Sequence, residues 1–339
     1  MSVRHIVVFR LGSLGDAVVS LPCWHQIRER FPDARRTLLT NMSISAKAAG
    51  VPAVLGGGGF IDDFVEYPIG VRSAGSLWTL ASQLRALRAD MLVYMAEPRG
   101  LASVYRDWAF FRLCGFQTIV GLPWRDDDRN NRVDPATGLE ELESLRLARQ
   151  MAGLGPIDLS RPGAWDLCLS DAEMAVGTQA TAVFGETPFI AINMGGKDKE
   201  KDWGQANWER LIAELGAAIP GAGLLAVGAP SDSARALALR PHWPGPLVDA
   251  CGVLSVRECA AALEHARIFI GHDSGPMHLA ASRGLPCIGL FGDFNRPAKW
   301  HPYGSAHRIL HRMDGLAQIS TTEVLEAATS LWHRAAIAA

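Results

Sequence analysis

The chain has 339 residues, of which 48% are hydrophobic and 20% charged, and its formal net charge is -2. This length exceeds one ordinary hydrophobic core and predicts two domains, while the near-neutral balance excludes a global basic footprint for nucleic acid. No apolar run approaches the roughly 18–20 residues that a membrane-spanning helix needs.

The first 170 residues alternate short apolar runs with helical patterns. Strands are predicted over 5–10, 35–40, 63–68 and 90–96, and helices over 17–30, 76–89 and 139–155. The segment 122–138 is predicted to be a polar loop. Strands that alternate with helices are typical of a parallel sheet covered by helices, so this part is predicted to be one α/β domain.

The alternation stops in a connector near residues 160–186 and then starts again. Strands are predicted over 189–194, 223–229, 267–273 and 286–292, and helices over 207–219, 256–266, 275–284 and 321–337. We therefore predict a first lobe over 1–170, a second over 171–320, and a C-terminal helix over 321–339. In such folds, ligands bind outside the carboxyl ends of the parallel strands.

The stretch "RLGSLGD" follows the first predicted strand. Gly12 and Gly15 let the backbone turn tightly and approach a ligand, although the spacing is that of neither a P-loop nor a dinucleotide fingerprint. Asp16 lies at the start of the next helix, where a carboxylate caps exposed N–H groups. A helix cap and a catalytic base both remain open for Asp16.

The stretch "NMGGKDKEKDW" follows the first strand of the second lobe. Its glycines, among them Gly196, and its three lysines, Lys197, Lys199 and Lys201, suit a diphosphate that accepts bonds from ammonium and backbone N–H groups. Because acidic residues alternate with the lysines, a solvated charge run is the competing interpretation.

The stretch "GHDSGPMH" joins a strand to a helix through Asp273, Ser274 and Gly275. The N–H groups in the first turn of that helix form a ready anion site. His278 either points back to this loop or fills the core. Capping alone also accounts for the aspartate and the serine.

Three other features receive simpler interpretations. The "DDD" run at 126–128 lies among arginines and is predicted to be a solvated surface run. The "GGGG" run at 56–59 is predicted to form a turn. The six cysteines form no C-x-x-C pair, which favours scattered buried thiols in a reducing compartment. The N-terminus lacks a signal-peptide pattern, so we expect a cytoplasmic protein.

Together the three stretches resemble glycosyltransferase family 9, the bacterial heptosyltransferases that build the inner core of lipopolysaccharide. The resemblance covers about residues 4–305, and it departs from the family pattern at "GGK" (195–197) and at Asp293, both beside the expected donor site. The matching residues are Gly15, Asp16, Pro22, Lys201, Trp203, Asp273, Ser274, Gly275, His278, Ala280, Gly284, Pro286, Phe291 and Gly292.

The resemblance implies an α/β GT-B fold, in which two Rossmann-like lobes turn their parallel sheets toward a central cleft. It also implies transfer of a heptose from ADP-heptose to a sugar hydroxyl, with inversion and without a metal or another cofactor. The implied partners are the nucleotide-sugar donor and a glycan or glycolipid acceptor. No nucleic acid or obligate protein partner is implied, and peripheral contact with the inner membrane is a further expectation.

The resemblance also assigns roles to residues. Asp16 is the expected base, and Lys201, with Lys197 or Lys199 as substitutes, is expected to neutralise the leaving diphosphate. Asp232 is interpreted equally well as a ribose contact or a helix cap. The expected donor-binding residues are Gly15, Gly196, Lys197, Asp232, Asp273, Ser274, Gly275 and His278.

The acceptor and the reaction class leave alternatives open. An acidic acceptor fits the arginines of the first lobe, namely Arg72, Arg85, Arg88, Arg99 and Arg106. Another nucleotide-sugar donor with a non-lipopolysaccharide acceptor, a sugar-nucleotide epimerase and a non-catalytic binding protein share the same pattern. A nicotinamide oxidoreductase is disfavoured because the dinucleotide glycine fingerprint is absent.

Overall fold

The chain divides into two compact units, the first running to Cys168 and the second beginning at Leu169. A computed structural model describes residues 3–42, 49–68, 70, 73–97, 99–196 and 199–338, with the backbone alone at 199 and 338. Lys197 and Arg72 therefore lie outside the described residues.

The first unit is built on a parallel sheet of five strands in the order β3-β2-β1-β4-β5. The strands are β1 (His5–Phe9), β2 (Arg35–Thr40), β3 (Asp63–Glu66), β4 (Met91–Tyr94) and β5 (Thr118–Val120). The helices are α1 (Leu14–Val19), α2 (Leu21–Arg30), α3 (Val51–Leu55), α4 (Ala74–Ala86), α5 (Leu101–Leu113), α6 (Asp126–Arg129) and α7 (Glu143–Gln150).

The single helix predicted over 17–30 is wrong, because two helices occupy this segment. Helix α1 begins at Leu14, directly after Ser13, whose backbone is extended. Pro22 lies in the first turn of α2 and has no N–H group to donate to the preceding turn, which interrupts the helix at Ser20. Asp16 lies in the first turn of α1, as predicted.

The second unit is built on a parallel sheet of six strands in the order β11-β10-β9-β6-β7-β8. The strands are β6 (Phe189–Asn193), β7 (Gly223–Ala226), β8 (Leu247–Asp249), β9 (Ile268–His272), β10 (Cys287–Phe291) and β11 (Arg308–His311). The helices are α8 (Asp171–Thr181), α9 (Gln205–Ala218), α10 (Ser233–Leu237), α11 (Val256–Glu264), α12 (Gly275–Ser282) and α13 (Thr321–Ala338).

Both cores consist of apolar strands buried beneath helices. In the first unit, Ile6, Val7 and Val8 of the central strand β1 are fully buried. In the second, Trp208 of α9 packs in one cluster with Ile190 of β6 and with apolar residues of α13. The predicted apolar runs therefore became buried strands because helices cover both faces of a parallel sheet.

Each sheet contains one place where the strand order reverses. In the first sheet, strands β1 to β3 are added toward one edge, and strands β4 and β5 are added toward the opposite edge. In the second sheet, strands β6 to β8 are added toward one edge, and strands β9 to β11 toward the other. The connections leaving these central strands diverge to opposite faces of the sheet, so a crevice forms at the carboxyl ends of the strands. All three sequence motifs leave from these central strands.

The surface interpretation of the "DDD" run is confirmed, and four of the six cysteines are buried as predicted, whereas Cys168 and Cys259 are partly buried. Cys23, Cys114, Cys251 and Cys287 are buried free thiols, and burial raises the pKa of Cys114 to about 11. Within the "DDD" run, Asp126 and Asp127 pair with nearby arginines at the surface. None of the helices in the described ranges is long and apolar enough to cross a membrane.

Helices α8 and α11 are joined by an ion pair that predicts a pH dependence of stability. Arg257 of α11 donates to both carboxylate oxygens of Glu173 of α8, at 2.6 and 3.0 Å. These bonds lower the pKa of Glu173 to about 2. A depressed carboxyl pKa stabilises the fold above the unfolded pKa, near 4.5, and this contribution disappears as the pH falls toward 2.

We expect Glu173→Gln to lower the free energy of unfolding by about 2 kcal/mol at pH 7 and by little at pH 2, because the buried guanidinium of Arg257 no longer faces the charge of this carboxylate. Urea unfolding at both pH values measures this difference. Glu258→Gln is the matched control for the loss of a capping carboxylate. Glu258 accepts the backbone N–H of Ser255 at the start of α11, just as Glu173 accepts the backbone N–H of Ser170 at the start of α8. An equal loss at both pH values would contradict the role of the ion pair.

Candidate active site

The loop after β1 brings the backbone of Gly12 against the carboxyl group of Asp16. Gly12 has φ +134°, and a Cβ atom there would lie 2.4 Å from the Cγ atom of Asp16. Any other residue type would be strained and would push the carboxylate away. The amide oxygen of Asn41 accepts the N–H of Gly12 at 2.8 Å and fixes this turn.

Asp16 combines a capping position with access to solvent. Its Oδ2 atom accepts the backbone N–H of Ser13 at 2.9 Å, which is the acidic half of a capping box. The buried guanidinium of Arg10 donates to the backbone oxygen of Asp16 at 2.7 Å and lies 3.6 Å from its Oδ1 atom. Because 26% of the side chain is exposed, the capping carboxylate remains accessible to a substrate proton.

Gly15, a predicted donor-binding residue, lies within α1 in a helical conformation. The prediction that Gly15 helps the chain to turn is wrong. Of the two glycines, only Gly12 has the positive φ angle of the turn. Gly15 lies in the first unit, whereas the other described donor-binding candidates lie in the second.

In the second unit, the segment after β6 is held in place by its neighbours. Arg235 of α10 donates two bonds of 3.0 Å to the carboxylate of Asp202. The backbone N–H of Trp203 donates a hydrogen bond to Nε2 of His272. Burial lowers the pKa of this histidine to about 4, so the ring is neutral at pH 7 and can accept this bond. These contacts fix the position of the preceding residue, Lys201.

Lys201 forms an ion pair with Asp273 that links two of the sequence motifs. Its ammonium nitrogen lies 2.7 Å from Oδ2 of Asp273 and 4.3 Å from the ring centre of Phe294. The side chains of Lys201 and Asp273 are only 16% and 10% exposed. The interpretation of a solvated charge run is therefore wrong for Lys201.

Asn295 completes this group of side chains by donating its amide N–H to Oδ2 of Asp273 at 2.5 Å. The backbone oxygen of Asn295 is bonded to His311 of β11, at 3.0 Å. Sequence analysis missed Phe294 and Asn295, since no motif marks them. The one available signal was their place after the strand end "LFG", where ligand-binding loops begin.

Helix α12 directs its N-terminus toward the same strand ends. The hydroxyl of Ser274 donates to Oδ1 of Asn193 at 2.9 Å and makes no capping bond to the helix. The first-turn N–H groups that begin at Gly275 are therefore not satisfied by the side chain of Ser274, and they favour an anion. The ammonium of Lys201 contacts Asp273, the residue that precedes the N-cap Ser274 of this helix.

Asp232 follows β7, which is adjacent to β6. Its Oδ2 atom accepts the N–H of Ala229 at 2.9 Å, as expected of a cap. A Cβ atom on Gly195 would lie 2.1 Å from this carboxylate, so a glycine is required there. Gly196 is half-buried in the same loop. The ribose contact of Asp232 stays a prediction.

His278 is buried inside α12, and its ring centre lies 6.5 Å from that of Trp300. It therefore contributes to packing beside the anion site, and a direct donor contact stays a prediction. Within the ranges that the structure describes, no three His, Cys, Asp or Glu side chains are grouped so that they could hold a metal ion.

A family model for glycosyltransferase family 9 (heptosyltransferase) matches residues 78–326. The chain belongs to glycosyltransferase family 9. Lipopolysaccharide heptosyltransferase 1 of Salmonella typhimurium is 35% identical over 96 residues, which cover 27% of this chain and 28% of that protein. Lipopolysaccharide heptosyltransferase 3 of Escherichia coli is 37% identical over 60 residues, 18% and 17% of the two chains. The matches thus span less than a third of these curated relatives.

The fold is similar to that of a solved family 9 glycosyltransferase from Veillonella parvula, with a TM-score of 0.74, 20% identity and 98% of each chain covered. The Escherichia coli heptosyltransferase WaaC, solved with ADP-2-deoxy-2-fluoro heptose, has a TM-score of 0.67 at 16% identity, covering 96% of this chain and 99% of that one. The predicted α/β fold with two Rossmann-like lobes of the GT-B class is confirmed.

Proposed function

We propose that this protein transfers a heptose from ADP-heptose to a hydroxyl group of a glycan acceptor such as the lipopolysaccharide core, with inversion and without a metal ion. The observation that carries the proposal is the Lys201–Asp273 pair beside the N-terminus of α12. It combines a cation with a helix end at the point where the strand order of the second sheet reverses.

The second unit supplies the donor step. An ammonium group has three N–H donors, and Asp273 engages one of those on Lys201, so others remain for diphosphate oxygens. The first-turn amides of α12 add partial positive charge. As the bond between the anomeric carbon and the phosphate oxygen breaks, ADP leaves with the electron pair, and these groups stabilise the developing charge.

The first unit supplies the acceptor step. The carboxylate of Asp16 takes the proton of the acceptor hydroxyl while that oxygen forms the new bond to the anomeric carbon. One displacement of this kind inverts the anomeric centre. Arg10 and Gly12 position the carboxylate through the contacts described above.

The proposed acceptor is a glycolipid or a glycan derived from one. The protein would then work in the cytoplasm, in peripheral contact with the inner face of the membrane that carries such an acceptor. Lipopolysaccharide heptose transfer is named for the two curated relatives, and it is proposed here for this chain.

We expect the protein to bind ADP more tightly than UDP or GDP, because a heptosyltransferase of similar fold was solved with an ADP-heptose analogue. The affinity should be unchanged in EDTA, because Lys201 and α12 supply the positive charge that a metal ion would otherwise provide. Calorimetry with each nucleotide, with and without EDTA, measures this preference. At a concentration 100-fold above its dissociation constant, ADP should raise the free energy of unfolding by about 2.7 kcal/mol.

UDP binding more tightly than ADP would overturn the donor assignment, and loss of binding in EDTA would overturn metal independence. Release of ADP in the presence of ADP-heptose and a lipopolysaccharide-core acceptor then tests transfer itself. If the protein binds ADP but releases none in this assay, the acceptor assignment is wrong.

A further inference from the structure

The outer face of two helices in the first unit exposes aromatic side chains. Among the residues that the structure describes, every exposed tryptophan or tyrosine lies here: Trp78 is 68% exposed, Tyr105 56%, and Trp108 and Trp124 41% each. Three exposed leucines lie on the same helices, Leu77 on α4 and Leu101 and Leu113 on α5. We call this surface the aromatic face: Trp78, Leu101, Tyr105, Trp108, Leu113 and Trp124.

Ring contacts and helical spacing place four of these residues on one surface. Leu101, Tyr105 and Trp108 follow each other on α5 at spacings of four and three residues, which places them on one side of the helix. Trp124, in the loop after β5, packs against Tyr105 and Trp108 with ring centres 5.2 and 6.3 Å apart.

Arg85 extends the surface from α5 to α4. Its guanidinium lies 5.5 Å from the ring centre of Trp78 on its own helix. The same group donates to the backbone oxygen of Leu113, at the end of α5, at 2.7 Å. The side of α4 that carries Trp78 therefore lies next to α5.

The charges on α4 and α5 are almost all positive. The two helices carry Arg85, Arg106 and Arg112 and one carboxylate, Asp107. Asp107 is buried and accepts bonds from the hydroxyl of Tyr94 and from Arg106. The carboxylate therefore offsets Arg106, while Arg85 and Arg112 donate to backbone oxygens and keep their net charge.

The charges at the ends of these helices are mixed. Arg88 follows α4. Arg99 precedes α5, and the exposed Glu97 lies two residues before it in the sequence. The two aspartates nearest to Trp124 are paired with the arginines of their own loop. The surplus positive charge therefore comes from α4 and α5 themselves.

We propose that the aromatic face docks the protein on an anionic lipid bilayer, with α5 lying in the headgroup layer. Indole and phenol rings have an apolar body and a polar edge, which suits the boundary between headgroups and acyl chains. Arginines beside them attract anionic headgroups. This proposal assigns a surface to the membrane contact that is part of the proposed function. It rests on that function only for the choice of a bacterial lipid mixture.

A lipid surface explains this face better than a glycan does. Tyrosine and tryptophan rings also stack on sugars, but the exposed Leu101 and Leu113 offer no hydrogen bond to a glycan. The same leucines are suited to the acyl boundary.

The test measures co-sedimentation of the full chain with vesicles of phosphatidylethanolamine and phosphatidylglycerol, and with vesicles of phosphatidylcholine alone. We expect binding to the anionic vesicles only, weakening as salt is raised. Trp108→Ser with Trp124→Ser should reduce the binding about tenfold or more. Arg85→Gln with Arg112→Gln should reduce it about 25-fold, at about fivefold per arginine.

Val183→Ser and Val253→Ser are the matched controls, since both valines are exposed in the second unit, and these variants should bind as the wild type does. Melting temperatures of all variants check that they are folded. Binding that is absent, or unchanged in the aromatic variants, would overturn the proposal. If the variants instead lose only turnover with a lipid-free acceptor, the face is a glycan platform. Vesicle binding needs neither donor nor acceptor, so its failure is separable from failure of the proposed transfer.

Discussion

Asp16→Asn is expected to reduce sugar transfer by roughly 10²- to 10⁴-fold, the usual contribution of a general base. An asparagine keeps an oxygen that accepts the N–H of Ser13, and it caps about as well as aspartate, so the fold and the helix should persist. Donor affinity should stay nearly normal, because the predicted diphosphate contacts belong to the second unit. Turnover, ADP affinity and melting temperature of the purified variant measure these three effects.

Comparison with Asp16→Ala separates capping from catalysis. Alanine removes both the cap and the base, so this variant should lose transfer and also about 1 kcal/mol of stability, whereas Asp16→Asn should lose transfer alone. Glu323→Gln is the matched control, since Glu323 accepts the backbone N–H of Ser320 at 2.9 Å in the same capping geometry. It should leave turnover unchanged. Near-normal turnover of Asp16→Asn would refute the base assignment and leave Asp16 as a cap.

Lys201→Met is expected to slow transfer by about 10²-fold or more and to weaken ADP binding, because one preorganised cation is lost from the leaving group. Methionine keeps an unbranched apolar stem against Phe294 but removes the charge. Single-turnover kinetics with ADP-heptose, together with calorimetry of ADP, measure the two effects.

Arg210→Gln is the control for a general loss of positive charge, because Arg210 is an exposed cation on α9 of the same unit. It should behave as the wild type does. If Lys201→Met also keeps wild-type kinetics, Lys201 only balances Asp273, and the assignment of the leaving-group cation passes to Lys197 or Lys199.

The central strands could be predicted from the sequence, and the sheet edges mostly could not. Strands β1, β6, β9 and β10 are buried on both faces, so each appears as a continuous apolar run. The missed strands β5, β8 and β11 all lie at sheet edges and are only partly buried, which removes that pattern. Helix α5 was missed because tryptophan and tyrosine interrupt its polar side.

The candidate site could be predicted residue by residue, but its contacts could not. Lys201 and Asp273 were both expected near the donor, yet they are 72 residues apart, and no local pattern predicts that they pair. Asn295 was not expected, because only the register of β9, β10 and β11 brings its loop to Asp273. Asp16 was easier to place, since its partners Ser13 and Gly12 are sequence neighbours.

The carboxylate beside Lys201 has a consequence for competition among anions. The ammonium is compensated before any ligand arrives, so a free orthophosphate or sulfate ion gains little net attraction from it. Such an ion also brings no base or ribose to add further contacts. Under the proposed function, a nucleotide sugar does bring these contacts, and it would share the lysine with Asp273 without leaving an uncompensated buried charge. We therefore expect the ion pair to favour the nucleotide sugar over small inorganic anions.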